Sequence, residues 1–167
     1  HVPPGLHRPL QFMGVRNHQK QLWHDLIDEA LANIKPSLDT PLFGSDISPA
    51  AIEAARANME RANINASSIH FEVSNVLDIE APAESGIIIT NPPYGERLDT
   101  GQDSIWHPLS GHLKKEFDGW RVNIITRDLE LPKKMRLKAQ RRIPLYNGNL
   151  ETRMFVFDMV RASFREQ

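Results

Sequence analysis

Short apolar runs alternate with amphipathic stretches along this chain, and that alternation leaves few folds open. From about Asn17 to Ile34 apolar residues recur at helical spacing (Leu22, Trp23, Leu26, Ile27, Ala30, Leu31, Ile34), and Pro36 stops the pattern. The run "LFGSD" follows as a strand ending at Asp46. Ser48 then caps a helix with Pro49 at its first position and its end near Asn63. Ile52, Ala55 and Met59 form the stripe of that helix expected to be buried, with Glu53 and Arg56 toward solvent. "IHFEV" and "GIIIT" read as strands, and Trp106 to Phe117 as a helix with Leu109, Leu113 and Phe117 inward. "WRVNIIT" is a further strand, followed by a short basic helix. The stretch "RRIPLYNGNLETRMFVFDMV" carries two β-rich runs around Asn147-Gly148, a strong hairpin signal. Strands separated by helices predict an α/β fold, with a mostly parallel sheet covered on both faces and a C-terminal antiparallel hairpin.

A length of 167 residues suits one domain with a single core. The longest apolar runs are a few residues, too short to span a membrane. With no cysteine there are neither disulfides nor thiolate metal sites, which suits a reducing cytoplasm. The seven histidines show no metal-ligand spacing, so no metal is expected. The opening "HVPPGLHRPLQFMG" holds three prolines and two glycines and reads as irregular. No signal peptide is visible, and the chain begins at His1 rather than Met.

Charge is unevenly placed. Residues 1–130 carry 11 Lys/Arg against 18 Asp/Glu, and residues 131–167 carry 9 against 3. The excess of cations centres on "KKMRLKAQRR", with Lys133, Lys134, Arg136, Lys138, Arg141 and Arg142 and no acid among them. Such a segment is either a solvated face or a surface for nucleic-acid phosphates.

The most specific stretch is "IIITNPPYGERL", where a strand expected to be buried gives way to an amide, two prolines and an aromatic ring. In open α/β sheets ligands bind beyond the carboxyl ends of strands, where Asp46, Asn75 and Asn91 are all expected to lie. Consider an exocyclic amine on a nucleobase, whose lone pair is delocalised into the ring. A site that accepts hydrogen bonds from both N–H groups draws that nitrogen toward a tetrahedral, nucleophilic geometry. The Asn91 side-chain oxygen is one acceptor. The Pro92 carbonyl is the second, its backbone restricted by Pro93. Tyr94 offers a ring on which a flipped base stacks. A positioned electrophilic methyl group then needs only in-line approach.

"TNPPYGERL" resembles motif IV of class I S-adenosylmethionine-dependent amino-methyltransferases, and more narrowly that of the THUMP-associated RNA methylase family. "GSDISPAAIEAARANMERA", "LSGHLKKEFDGW" and "LYNGNLETRMF" are similar to further stretches of that family, so the likeness runs from about Leu42 to the end. Within it the likeness is strongest to bacterial enzymes acting on guanine N2 of 23S rRNA. The resemblance implies a Rossmann-like class I methyltransferase sheet, S-adenosylmethionine as cofactor and RNA, most of all ribosomal RNA, as partner. It further implies that Asp46 binds the cofactor ribose hydroxyls and Ile47 covers one face of the adenine. Asn75 would take the place of the family's aspartate in accepting the adenine amino group, and Val76 would offer its backbone N–H to the ring. Asn91 would serve both cofactor and amine. Arg97 joins the six cations of the basic segment as a candidate RNA contact.

One departure stands out. Class I methyltransferases carry a glycine-rich loop after their first strand, and this sequence has nine glycines but no Gly-x-Gly. In the family that strand and loop precede the segment that begins here. Residues 1–167 are therefore expected to be a partial methyltransferase domain, with any THUMP domain also upstream. The strand in question would lie between the one ending at Asp46 and the one leading to Asn91. Weak cofactor binding by the chain alone is the expected result. Adenine N6 in DNA and guanine in tRNA remain open as targets, because the tetrapeptide addresses an amino group and not the rest of the base. A non-catalytic RNA-binding module is the reading from another class.

Overall fold

The computed structural model describes residues 9–35, 38–65, 67, 69–92 and 105–160. The chain divides into two compact units, His1–Asn75 and Val76–Gln167.

In the first unit a 3-10 turn, Gln11–Gly14, precedes helix α1, Lys20–Ala32. Phe12 packs edge-on against Trp23, with ring centroids 4.9 Å apart. Strand β1, Leu42–Asp46, then leads through helix α2, Pro49–Arg61, to strand β2, Ile69–Val73. β1 and β2 pair in parallel, from Leu42 opposite Ile69 to Asp46 opposite Val73. The Arg56 guanidinium, on the face expected to point to solvent, donates from Nη2 to the Phe71 carbonyl at 2.8 Å and ties α2 to β2.

The helices form where the periodicity places them, but their apolar stripes are not buried as expected. Ile52 is the one buried side chain among the described residues of this unit, and Ala55 and Met59 are partly covered. On α1 nothing is buried, and Leu22 and Leu26 are each about half exposed. A stripe at helical spacing shows which face is apolar. It says nothing of whether a second layer lies against it.

The second unit has that layer. Strand β3, Ile87–Thr90, is followed by helix α3, Trp106–Glu116, and strand β4, Arg121–Thr126. The one-turn helix α4, Leu131–Lys134, leads to strands β5, Arg141–Asn147, and β6, Leu150–Asp158. The sheet order is β3-β4-β6-β5, with β3 parallel to β4 and β6 antiparallel to both its neighbours. The hairpin thus adds one strand, β6, that runs against the other three. Its two-residue loop is Gly148–Asn149, because Asn147 pairs with Leu150. The turn lies one residue beyond the Asn147-Gly148 centre expected from sequence. Gly148 comes first in the loop and takes the positive φ, 60°, the glycine-first arrangement of tight hairpins.

Val122, Ile124, Phe155 and Phe157 on one face of the sheet form a single core with Leu109 and Leu113 from α3, with Phe117 directly after it, and with Leu131 and Met135. Here the inward residues expected of α3 are the inward residues observed. The parallel pairing foreseen from the alternation is present as two separate sheets. Among the described residues β1 pairs with β2 alone, and β3 with β4 alone. No helix among the described residues is long and apolar enough to cross a membrane.

Candidate functional site

At the carboxyl end of β1, Asp46 is exposed, and its Oδ1 accepts a hydrogen bond from the Ser48 N–H at 2.8 Å. Ser48 shapes the turn. Its hydroxyl oxygen accepts from the Ala51 N–H at 3.4 Å, and Pro49 opens α2 without an orphan donor. On the adjoining strand the Ser74 N–H donates to the Asp46 carbonyl at 3.0 Å, which carries the pairing one residue past Val73. Asp46 and the Ser74-Asn75 step are thereby brought to the same end of the parallel pair.

Among the described residues the second carboxylate oxygen of Asp46 has no hydrogen-bond partner. Ile47, next along the turn, is 70% exposed. A carboxylate oxygen and an aliphatic side chain presented together on a β–α turn suit a ribose diol and the flat face of a purine. Val76, also exposed, is the first residue of the second unit.

In that unit Asn91 and Pro92 follow β3 directly, at its carboxyl end. Asn91 is exposed and Pro92 partly buried. Pro93, Tyr94 and Arg97 lie outside the described residues. The strand that delivers Asn91 is only four residues long, yet it is held by more than its ladder. The buried Asn123 amide donates from Nδ2 to the Ile88 carbonyl at 3.0 Å. One residue before the strand, Gly86 accepts the Arg121 N–H at 3.0 Å. A Cβ on Gly86 would overlap the Trp120 ring, whose Nε1 donates to the Ala83 carbonyl at 2.9 Å. Asn123 escaped the sequence reading. Its signal is there to be read: a lone amide inside the apolar run "VNII", and a buried amide requires a partner.

The basic segment is less uniform than its sequence. Lys133 pairs with Glu130, and Lys134 with Asp128 at 2.8 Å, acids just upstream of the run. Arg136, Lys138, Arg141 and Arg142 are exposed. The Arg142 guanidinium lies 6.0 Å above the Phe155 ring, within cation–π range. Among the described residues no three His, Asp or Glu side chains gather as a metal site would require.

Residues 1–155 match a protein family described as RMKL-like, methyltransferase domain. The ribosomal RNA large subunit methyltransferase K/L of Shewanella sp. strain ANA-3 is 35% identical over 170 residues, covering 98% of this chain and 24% of that protein. The chain thus spans about a quarter of the length of that curated relative. Two crystal structures share the fold. A possible methylase from Clostridium difficile 630 superposes with a TM-score of 0.80 at 32% identity, covering 95% of this chain and 42% of the other. The protein SMU.472, crystallised with SAH, gives a TM-score of 0.79 at 25% identity, covering 96% of this chain and 42% of the other.

Proposed function

Because the chain belongs to the RMKL-like methyltransferase domain family, we propose that it serves in methyl transfer from S-adenosylmethionine to an exocyclic base amine of ribosomal RNA. Guanine N2 of 23S rRNA is the target we favour, in the cytoplasm where ribosomes are built. The observation that carries this reading is the Asn91-Pro92 step at the carboxyl end of a strand clamped by Asn123 and Gly86. Support for the substrate comes from the ribosomal RNA methyltransferase K/L relative, and for the cofactor from the SAH held by SMU.472.

S-adenosylmethionine supplies an electrophilic methyl group on a sulfonium. The residues of this chain bind and orient. Asp46 accepts hydrogen bonds from the ribose hydroxyls, Ile47 covers the purine, Asn75 accepts the adenine amino group and Val76 donates its backbone N–H. The Asn75 amide does this without charge, a weaker bond than a carboxylate would make. Asn91 Oδ1 and the Pro92 carbonyl accept the two N–H groups of the target amine, so its lone pair turns toward the methyl carbon. The methylated ammonium is acidic and releases its proton to water without a strong base. The target base reaches these groups only unpaired or flipped, at a few kcal/mol of unstacking. Pro93 and Tyr94, outside the described residues, are proposed to restrict the Pro92 carbonyl and to stack on the base.

Asn91→Ala, introduced into the full-length protein, tests this directly. It should retain the native fold, since Asn91 is exposed, and lower methyl incorporation into a 23S rRNA transcript on the order of a hundredfold or more, as loss of one preorganised polar contact does elsewhere. Undiminished incorporation would remove Asn91 from the chemistry. Nucleoside analysis of the product separates N2-methylguanosine from N6-methyladenosine. RNA binding with no transfer by the unmodified full-length protein would favour the binding-module reading. The cations Lys133, Lys134, Arg136, Lys138, Arg141 and Arg142, with Arg97, are proposed to contact phosphates along the RNA.

A further inference from the structure

From residue 136 to residue 146 exposure alternates almost without a break. Arg136, Lys138, Gln140, Arg142, Pro144 and Tyr146 are exposed, whereas Leu137, Ala139, Ile143 and Leu145 are partly buried. Leu137 and Ala139 pack against the core, and the Gln140 N–H donates to the Val156 carbonyl at 2.8 Å, ahead of β5. Within β5 the alternation places Arg142, Pro144 and Tyr146 on one face of the strand, whereas Arg136, with a φ of 51°, and Lys138 stand exposed on the turn that leads into it. The exposed residues thus form a ridge along the chain, broken at the bend of Gln140, that ends in a tyrosine, 74% exposed, near the hairpin loop.

The acids beside the ridge are already matched. Tyr146 sits opposite Glu151, which pairs with Arg153 at 3.1 Å. Asp158, at the other end of β6, pairs with Arg121 at 2.8 Å. Arg142, with its guanidinium 6.0 Å over the Phe155 ring, is exposed.

The register gives the ridge a direction. Arg142 lies opposite Phe155, which lies opposite Ile124, which pairs with Thr90 of β3. Pro144 is level with Thr126, the last residue of β4, so Tyr146 stands beyond the carboxyl end of that strand. It occupies the same end of the sheet as Asn91, three strand positions away, or roughly 14 Å across at the usual strand spacing.

We propose that Tyr146 is a stacking platform for an unpaired base of single-stranded RNA whose phosphates run along Arg136, Lys138 and Arg142. This rests on the RNA-binding part of the function proposed above. A bare aromatic ring beside cations is the combination that binds single strands, since phosphates answer the charge and any base answers the ring. A duplex keeps its bases stacked on one another and cannot use the ring.

The test is fluorescence anisotropy with a labelled eight-nucleotide single-stranded RNA and a duplex of equal length, at several salt concentrations. Tyr146→Ala should weaken single-strand binding roughly 5- to 150-fold and leave the salt slope unchanged. Tyr146→Phe should restore it, because the ring and not the hydroxyl is required. Duplex binding should be indifferent to both. The R136Q/K138Q/R142Q variant should behave oppositely, flattening the slope by up to about 0.7 for each phosphate no longer neutralised. Tyr146→Ala binding within twofold of the unmodified chain, or equal weakening for duplex and single strand, would overturn the proposal. Methyl incorporation is scored separately, in the full-length protein. Intact, Asn91-dependent transfer with no Tyr146 effect refutes the platform alone, and a Tyr146 effect with no transfer refutes the catalytic reading alone.

Discussion

The two units are written in the same alternating pattern and reach opposite physical ends. α1 carries an apolar stripe as clear as that of α3, yet none of its residues is buried, while Trp106, Leu109 and Leu113 of α3 are nearly inaccessible. The difference lies in partners and not in pattern. α3 faces a four-stranded sheet whose near side offers Val122, Ile124, Phe155 and Phe157. The first unit offers two strands of five residues, on which Leu42 and Phe43 are themselves about half exposed. A two-stranded sheet with two helices, only one of which buries a side chain, gathers too little apolar surface to offset the entropy of ordering it.

Stability should therefore reside in the second unit, and truncations there should matter most. Phe155→Ala is expected to cost about 3–5 kcal/mol in urea unfolding, since the ring is fully enclosed. A loss below about 1 kcal/mol would mean the core is not cooperative. Next in size comes Ser48→Ala, which removes the cap of α2 and should cost about 1 kcal/mol of that helix. Native-state hydrogen exchange is the measurement, because the loss should appear in α2 amides and leave β4 and β6 untouched. Global loss of protection would show that the units unfold as one. Smallest is L22S/L26S on the open face of α1, expected to shift the midpoint by no more than about 0.5 kcal/mol. A loss of several kcal/mol would place a packing layer on that face and erase the contrast.

What the sequence allowed to be read follows the same line. Element positions were local matters: Pro49 after Ser48 set the start of α2, and the runs "LFGSD" and "IHFEV" match β1 and β2 residue for residue. The hairpin slipped by one residue because Asn147-Gly148 and Gly148-Asn149 are both good turn pairs. Cross-strand register, not turn propensity, chooses between them. Long-range facts were legible only in part. The family resemblance set β1 and β3 apart, but that β6 inserts between β4 and β5 depends on residues far apart in the chain. The placing of Asp46 and Asn91 at strand ends was legible because strand ends are visible in sequence. Asn123 was not, since its role depends on which carbonyl faces it across the ladder. The lysine pairs with Glu130 and Asp128 went unseen because the acids lie outside the basic run that drew attention.

Among the described residues β3 has an open side, and for this chain taken alone that makes its behaviour depend on concentration. Ile87 and Ile89 are 65% and 71% exposed on one face of the strand, and among the described residues the strand has a ladder partner on one side alone. An apolar strand with a free edge is a template for another strand, including its own copy in a second molecule. Such pairing is bimolecular. Its rate climbs with the square of protein concentration while the unfolding rate of a single chain does not, so dilute and concentrated samples of this protein should age by different routes.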